Sequence, residues 1–289
     1  MSAAPVCELG ESPRWDAVGG RLWWVDLLAG RVHRLDPASG AVDTTEVGQP
    51  VSALAAHRHG WVVAVETAVQ YRDPGFALLH EVPVLSRPTL VRMNDAALDP
   101  AGRFLVGTLA YDGRRGAGAL YRIDDRGIAV LLDGLDISNG IAWTSDGRTL
   151  YHVDSGPGTI HAYGYDPATG TLGRGRIFYR HPPADGVPDG IALDALGGLW
   201  VAIWGGGKVI RLDPERGQIT DTIALDAVQP AGVCFGGPRL DTLYITSARV
   251  GLDRPARGDG ALYAAGTAVP GQAQTSVPAT PPTSLVGVR

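Results

Sequence analysis

With 289 residues, 40 of them Gly and 21 Pro, the chain is long enough for two average domains or one large all-β domain. A net charge of −5 argues against a dedicated nucleic-acid binder, which would normally show a basic face. Two cysteines, Cys7 and Cys234, form no CxxC, the start "MSAAPVCELGESP" carries no basic-then-apolar leader, and no apolar run approaches the roughly 20 residues of a membrane helix, which predicts a reduced, cytoplasmic protein with no membrane partner.

Taken in chain order, short apolar strands are predicted at "LWWVD" (22–26), "WVVAVE" (61–66), "FLVGTL" (104–109), "LYHVDS" (150–155), "LWVAIW" (199–204) and "LYITSA" (243–248). Each leads into a second strand: "RVHRLDP" (31–37), "AVQYRDP" (68–74), "ALYRIDD" (119–125), "IHAYGYDP" (160–167), "KVIRLDP" (208–214) and "ALYAAG" (261–266). The period of roughly 40 to 50 residues is that of a four-stranded propeller blade. The predicted fold is all-β, a six-bladed β-propeller over residues 1–266, with 267–289 as a flexible end low in bulky apolar residues. A β-sandwich with coincidental Asp-Pro turns is the alternative, and the persistence of the period from end to end argues against it.

A third segment precedes each of the first: "GESPRW" (10–15), "VSALAA" (51–56), "MNDAAL" (93–98), "SNGIAW" (138–143), "PDGIAL" (188–193) and "AGVCF" (231–235). Aligned, they give a column of Glu11, Ser52, Asn94, Asn139, Asp189 and Ala231. In a ring, equivalent positions converge on the axis. Glu11, Asn94, Asn139 and Asp189 would then offer four oxygens to a central divalent metal. A set of carboxylates and amides without Cys or His suits Ca²⁺, Mg²⁺ or Mn²⁺; Zn²⁺ would lack its favoured nitrogen and sulfur ligands. Turn caps are the structural alternative for Asn139-Gly and Asp189-Gly.

The motifs "LGESPRWD" (9–16), "RMNDAALDPAGRFLVGTL" (92–109), "DISNGIAWTSDGRTLYHVDS" (136–155) and "PDGIALDALGGLWVAIWGGGKVIRLDP" (188–214) resemble those of the SMP-30/gluconolactonase/luciferin-regenerating enzyme family. The resemblance runs to about residue 250. It implies a six-bladed propeller with one divalent metal held by Glu11, Asn139 and Asp189, with Asn94 beside it. It also implies that Arg92, Asn94 and Asp112 bind the sugar, although Asp112 stands where the family carries a longer Glu. The activity implied is metal-dependent opening of a sugar lactone to its aldonic acid, with the metal polarising the carbonyl and Asp189 as the candidate catalytic base. Ca²⁺ is the first expectation for the cofactor, with Zn²⁺, Mg²⁺ and Mn²⁺ as alternatives. The expected partner is a small-molecule lactone and the expected assembly a monomer or weak dimer. A non-catalytic calcium-binding propeller and a hydrolase of another ester or lactone are the competing functions.

Other polar residues have plainer readings. Asp154 reads as a strand-end hydrogen-bond acceptor. His152 and the "HRH" at 57–59 read as packing or surface residues. Asp36, Asp73, Asp166 and Asp213 precede Pro and read as blade-edge turns. The seven tryptophans read as packing between blades. The glycines at 205–207 are followed by no G-K-[ST] and make no phosphate loop.

Overall fold

The computed structural model describes residues 4–57, 60–86 and 90–273. The strands fall into six antiparallel sheets in chain order. The first blade is β1 (Gly10–Asp16), β2 (Arg21–Asp26), β3 (Arg31–Asp36) and β4 (Ala41–Glu46). The second is β5 (Val51–His57), β6 (Gly60–Val65), β7 (Ala68–Arg72) and β8 (Leu78–Pro83), and the third β9 (Val91–Leu98), β10 (Phe104–Ala110), β11 (Gly118–Asp124) and β12 (Gly127–Leu135). The fourth is β13 (Ser138–Trp143), β14 (Thr149–Asp154), β15 (Thr159–Asp166) and β16 (Thr171–Arg180). The fifth is β17 (Val187–Leu193), β18 (Leu199–Trp204), β19 (Lys208–Leu212) and β20 (Ile219–Ala224). The sixth shows three strands among the described residues, β21 (Gln229–Gly236), β22 (Thr242–Ala248) and β23 (Tyr263–Gly266). The molecule is a six-bladed β-propeller, as expected. Among the described residues no helix is long and apolar enough to cross a membrane.

Strand periodicity explains how the blades close into a ring. Side chains alternate between the two faces of a sheet, and here both faces are covered by neighbouring blades. In β2, Trp23 and Val25 pack towards the second blade, while Leu22 and Trp24 pack towards the sixth. The apolar run "LWWVD" therefore serves two interfaces at once. The same holds around the ring, where each of six hydrophobic clusters joins one pair of adjacent blades. Tryptophans mark three of these seams: Trp23 on Trp61 with centroids 4.3 Å apart, Trp15 on Tyr244 at 6.0 Å and Trp200 against Phe235 at 6.2 Å. The ring shuts where Leu9 bridges Ala248 and the amide of Arg249 donates to the Glu8 carbonyl at 3.0 Å.

The segment expected to form a flexible end begins with bonded residues. Thr267 N donates to Asp241 O at 2.9 Å, Gly271 N to Leu240 O at 2.7 Å and Gln272 N to Leu193 O at 2.9 Å. Residues 274–289 lie outside the described residues, as do Arg58 and His59 of the "HRH" run. The Asp-Pro turns are as expected: Asp36, Asp166 and Asp213 each accept a backbone N–H two residues on. Cys7 and Cys234 are buried and unpaired.

The innermost strand of every blade carries a register shift against its neighbour, between Glu11 and Arg14, Val51 and Ala53, Met93 and Ala96, Asn139 and Ile141, Pro188 and Ile191, and Pro230 and Val233. A β-bulge inserts unpaired residues and re-aims their side chains. Each column residue stands in or beside its bulge. Ser12 takes a left-handed φ of 49°, a strained conformation for a residue with a Cβ. Gly140 has φ +22°, and a Cβ there would lie 2.5 Å from the Asp189 carbonyl oxygen of the next blade. Gly140→Ala is expected to cost about 1–3 kcal/mol of stability through strain and forced separation of the two blades. Gly266→Ala, with nothing within 4 Å of the added carbon, serves as the control in denaturant unfolding.

Candidate functional site

The bulges direct the column into the central channel. A cavity of about 80 Å³ is lined by residues of all six innermost strands: Glu11 from β1, Leu54 from β5, Asp95 from β9, Ile141 from β13, Gly190 from β17 and Val233 from β21. Of the sequence-selected residues Glu11 lines this cavity, and Arg92, Asn94, Asn139 and Asp189 stand beside it, joined by hydrogen bonds or by mutual charge. Glu11, Arg92, Asn94, Asn139 and Asp189 are all 9% exposed or less. Ser52 and Ala231 complete the ring without charge; Ser52 donates to the Ala64 carbonyl at 3.3 Å within its own blade.

A chain of directed hydrogen bonds crosses three blades. Arg92 Nη1 donates to the Met93 carbonyl at 2.9 Å and to Asn94 Oδ1 at 2.8 Å. Asn94 Nδ2 donates to Asn139 Oδ1 at 2.6 Å and to the Ser138 carbonyl at 3.2 Å. Asn139 Nδ2 donates to Ser155 Oγ at 2.8 Å, and Ser155 Oγ donates to the Pro188 carbonyl at 2.7 Å. A backbone carbonyl can only accept, so the Ser155 hydroxyl must receive its other bond from the Asn139 amide. That fixes the Asn139 side chain with its oxygen towards Asn94 and the channel. Behind this chain, Ser138 Oγ meets His152 Nε2 at 2.8 Å, and burial pushes the His152 imidazole down to about 3, leaving it neutral.

The electrostatics of the cage are unbalanced. Burial raises the Asp189 carboxyl well above its ordinary range, and the charges of Glu11 and Asp95 add to it against the pull of Arg92. Glu11 is pushed up to about 8 by burial and by Asp95, again opposed by Arg92. Burial takes Asp95 to about 6, although it accepts hydrogen bonds from Ala96 N and Ser12 Oγ. Among the described residues Asp189 Oδ1 is buried with no hydrogen-bond partner. Three acidic groups therefore lie together in buried surroundings, where Arg92 opposes the rise at Glu11 and Asp189 and a second guanidinium, Arg14, lines the cavity beside Glu11 and Asp95. An orphaned carboxylate oxygen beside further carboxylate and amide oxygens is the donor set that could hold a hard divalent cation.

Asp95 was not among the sequence-selected residues. Its signal was its place next to Asn94 inside "MNDAAL", where the bulge turns two successive side chains off the regular alternation. Asp112 is not brought into the group. It is exposed on the turn after β10, accepts the Arg114 amide at 3.3 Å and pairs with the Arg114 side chain at 3.8 Å. Its neighbour Tyr111 is the residue that meets Arg92, with the guanidinium carbon 5.8 Å from the ring centroid.

Elsewhere Cys7, Asp26 and His33 place donor atoms within 4.8 Å of one another. Asp26 there accepts Leu9 N and Glu8 N at 3.0 Å each, as Asp154 accepts Ile137 N at 2.9 Å and Asp136 N at 3.3 Å. This is the strand-end role expected of Asp154, and it accounts for Asp26 without a ligand.

The Glu11 shift gives a pH dependence for the metal-free protein. Its folded-state value lies above the ordinary 4.5, so the fold favours the protonated acid. The corresponding stability is complete below about pH 4.5 and is lost as pH rises through about 8. The melting temperature of metal-stripped protein should therefore fall across this window in calorimetry. Glu11→Gln, which cannot ionise, should flatten the fall.

The SMP-30/Gluconolactonase/LRE-like region model matches residues 9–249. Regucalcin of Xenopus laevis is 37% identical over 256 residues, covering 85% of each chain, and human regucalcin is 35% identical over 257 residues, covering 86% of this chain and 85% of its own. Among solved structures, a calcium-binding regucalcin from Agrobacterium tumefaciens superposes with a TM-score of 0.88 at 28% identity, covering 93% of this chain and 94% of that one. A luciferin-regenerating enzyme superposes at 0.83 and 28% identity, covering 94% and 95%. The chain belongs to the SMP-30/gluconolactonase/LRE-like family.

Proposed function

We propose that the protein is a divalent-metal-dependent hydrolase that opens a sugar lactone to its aldonic acid. The observation that carries the reading is the unpartnered, buried oxygen of Asp189 in a channel it shares with Glu11 and Asp95. Burying three acidic groups side by side, one of them with an unpartnered oxygen, costs stability. It is explained by a dication that compensates their charge. Glu11, Asn139 and Asp189 would hold it, with Asn94 adjoining and Ca²⁺ as the first candidate.

When bound, the cation supplies Lewis-acid polarisation of the lactone carbonyl. The chain's own groups do the rest. Asp189 takes a proton from the attacking water as its oxygen bonds to the carbonyl carbon. The bond from that carbon to the ring oxygen then breaks, and the proton passes to the leaving ring oxygen. The product is a hydroxy acid that ionises at neutral pH. Asn94 and Arg92 orient the sugar, and Arg92 is itself held by Met93 and Asn94, so its position is set before substrate arrives. The non-catalytic reading draws on the Agrobacterium relative, described as a calcium-binding protein. It shares the cation and differs in having no turnover.

Acid release from glucono-δ-lactone and from other pentono- and hexonolactones separates the two. Metal-stripped protein should be inactive, and one of Ca²⁺, Mg²⁺, Mn²⁺ or Zn²⁺ should restore a rate above spontaneous opening. Asp189→Asn should lower kcat by about a hundred- to ten-thousandfold. Metal binding without turnover of any lactone would favour the non-catalytic reading. Ser155→Ala removes the hydroxyl that orients Asn139, and calorimetry should show metal binding weakened about 10- to 100-fold.

A further inference from the structure

The rim of the channel next to Arg92 carries polar groups that the cage does not use. Glu66 directly follows β6, and Tyr111 directly follows β10. Strand pairing of Leu109 with Arg92 and of Ala110 with Val91 places Tyr111 beside the start of β9. That is the end at which Arg92 and Asn94 stand. The amide of Met93 donates to the Glu66 carbonyl at 2.9 Å, tying Glu66 to the same strand. Tyr111 Oη then donates to Glu66 Oε1 at 2.8 Å, while the Tyr111 ring lies against the Arg92 guanidinium. Three residues from two blades thus meet at one edge of the mouth.

Their hydrogen-bonding capacity is only partly used within the protein. Arg92 uses Nη1 for the Met93 carbonyl and Asn94, which leaves other guanidinium N–H groups of the five it carries. Among the described residues no ion pair joins it to Glu66, so the carboxylate is bonded to a neutral phenol while a cation stands close by. Tyr111 is 46% exposed and Glu66 is half-buried. The edge therefore presents a guanidinium donor, a phenol oxygen that can still accept, and a carboxylate oxygen that accepts. A hydroxyl group both donates and accepts, and neighbouring hydroxyls on a ring present these functions in alternation. A purely apolar lactone would leave all of them unsatisfied.

We propose that Glu66 and Tyr111, beside Arg92, form the specificity edge that reads the ring hydroxyls of the substrate. This rests on the lactonase reading. The acidic partner of the sugar is then Glu66 of the second blade, in place of Asp112, whose carboxylate stays with Arg114 on its own turn.

The test titrates metal-loaded wild type, Glu66→Gln and Tyr111→Phe with a cyclic polyol that has the sugar ring but no carbonyl. The same three proteins are assayed on glucono-δ-lactone and on unsubstituted δ-valerolactone. Each substitution is expected to weaken polyol binding about tenfold. Each should also lower the preference for the hydroxylated lactone, as a ratio of kcat/KM values, by about the same factor and mainly through KM. A role confined to holding the rim together would shift both lactones equally and leave the ratio unchanged. Unchanged polyol binding and an unchanged ratio in both variants would overturn the proposal, as would the absence of polyol binding to wild type. If wild type opens neither lactone above the spontaneous rate, the hydrolase reading fails, and the polyol titration alone decides the specificity edge.

Discussion

The site depends on one backbone device, the β-bulge repeated in the innermost strand of all six blades. A regular strand would send successive side chains alternately into the two neighbouring blades, where the six apolar clusters already fill the space. A bulge releases one or two residues from that alternation and points them at the axis. Because the blades are related by rotation, the released residues converge. Gly140 lets the fourth and fifth blades approach closely enough for this, and Ser12 accepts a strained left-handed φ to turn Glu11 inward. Ring and site are built together, since the interfaces that hold the blades also fix the width of the channel.

The converged groups oppose the fold electrostatically. Glu11, Asp95 and Asp189 each have their carboxyl raised by burial, and the Arg92 guanidinium opposes the rise at both Glu11 and Asp189. Unpaired buried acids of this kind mark functional sites more often than structural ones. The neighbouring hydrogen bonds are fully directed by contrast. Arg92, Asn94, Asn139 and Ser155 form a series ending on the Pro188 carbonyl, one residue from Asp189. Orientation of these side chains is settled by the protein, while the acidic groups beside them stay only partly compensated.

Much of this was legible in the sequence, for identifiable reasons. The second strand of each blade is largely buried on both faces, so runs such as "LWWVD" and "LWVAIW" stand out as continuous apolar segments. The outermost strands were not singled out, because β4 and β20 are polar and largely exposed and carry no such mark. The column could be picked out because the period aligns Glu11, Asn94, Asn139 and Asp189 without any knowledge of dihedral angles. Asp95 was missed because it needs the bulge, a feature of backbone pairing with no composition of its own. Glu66 was missed for another reason: its neighbours Tyr111 and Met93 lie in the next blade, and nothing local to "VETAV" signals them. The hold on residues 267–273 is likewise made by distant carbonyls of Leu193, Leu240 and Asp241.

The central claim is that the channel acids are a cation site, and the most direct measurement is calorimetric titration of metal-stripped protein with Ca²⁺ at neutral pH, beside Asp189→Ala. The account predicts one Ca²⁺ bound per chain, protons released as Glu11 ionises, and both signals lost in the variant. Absence of binding, or binding that survives in Asp189→Ala with unchanged affinity and proton release, would contradict it.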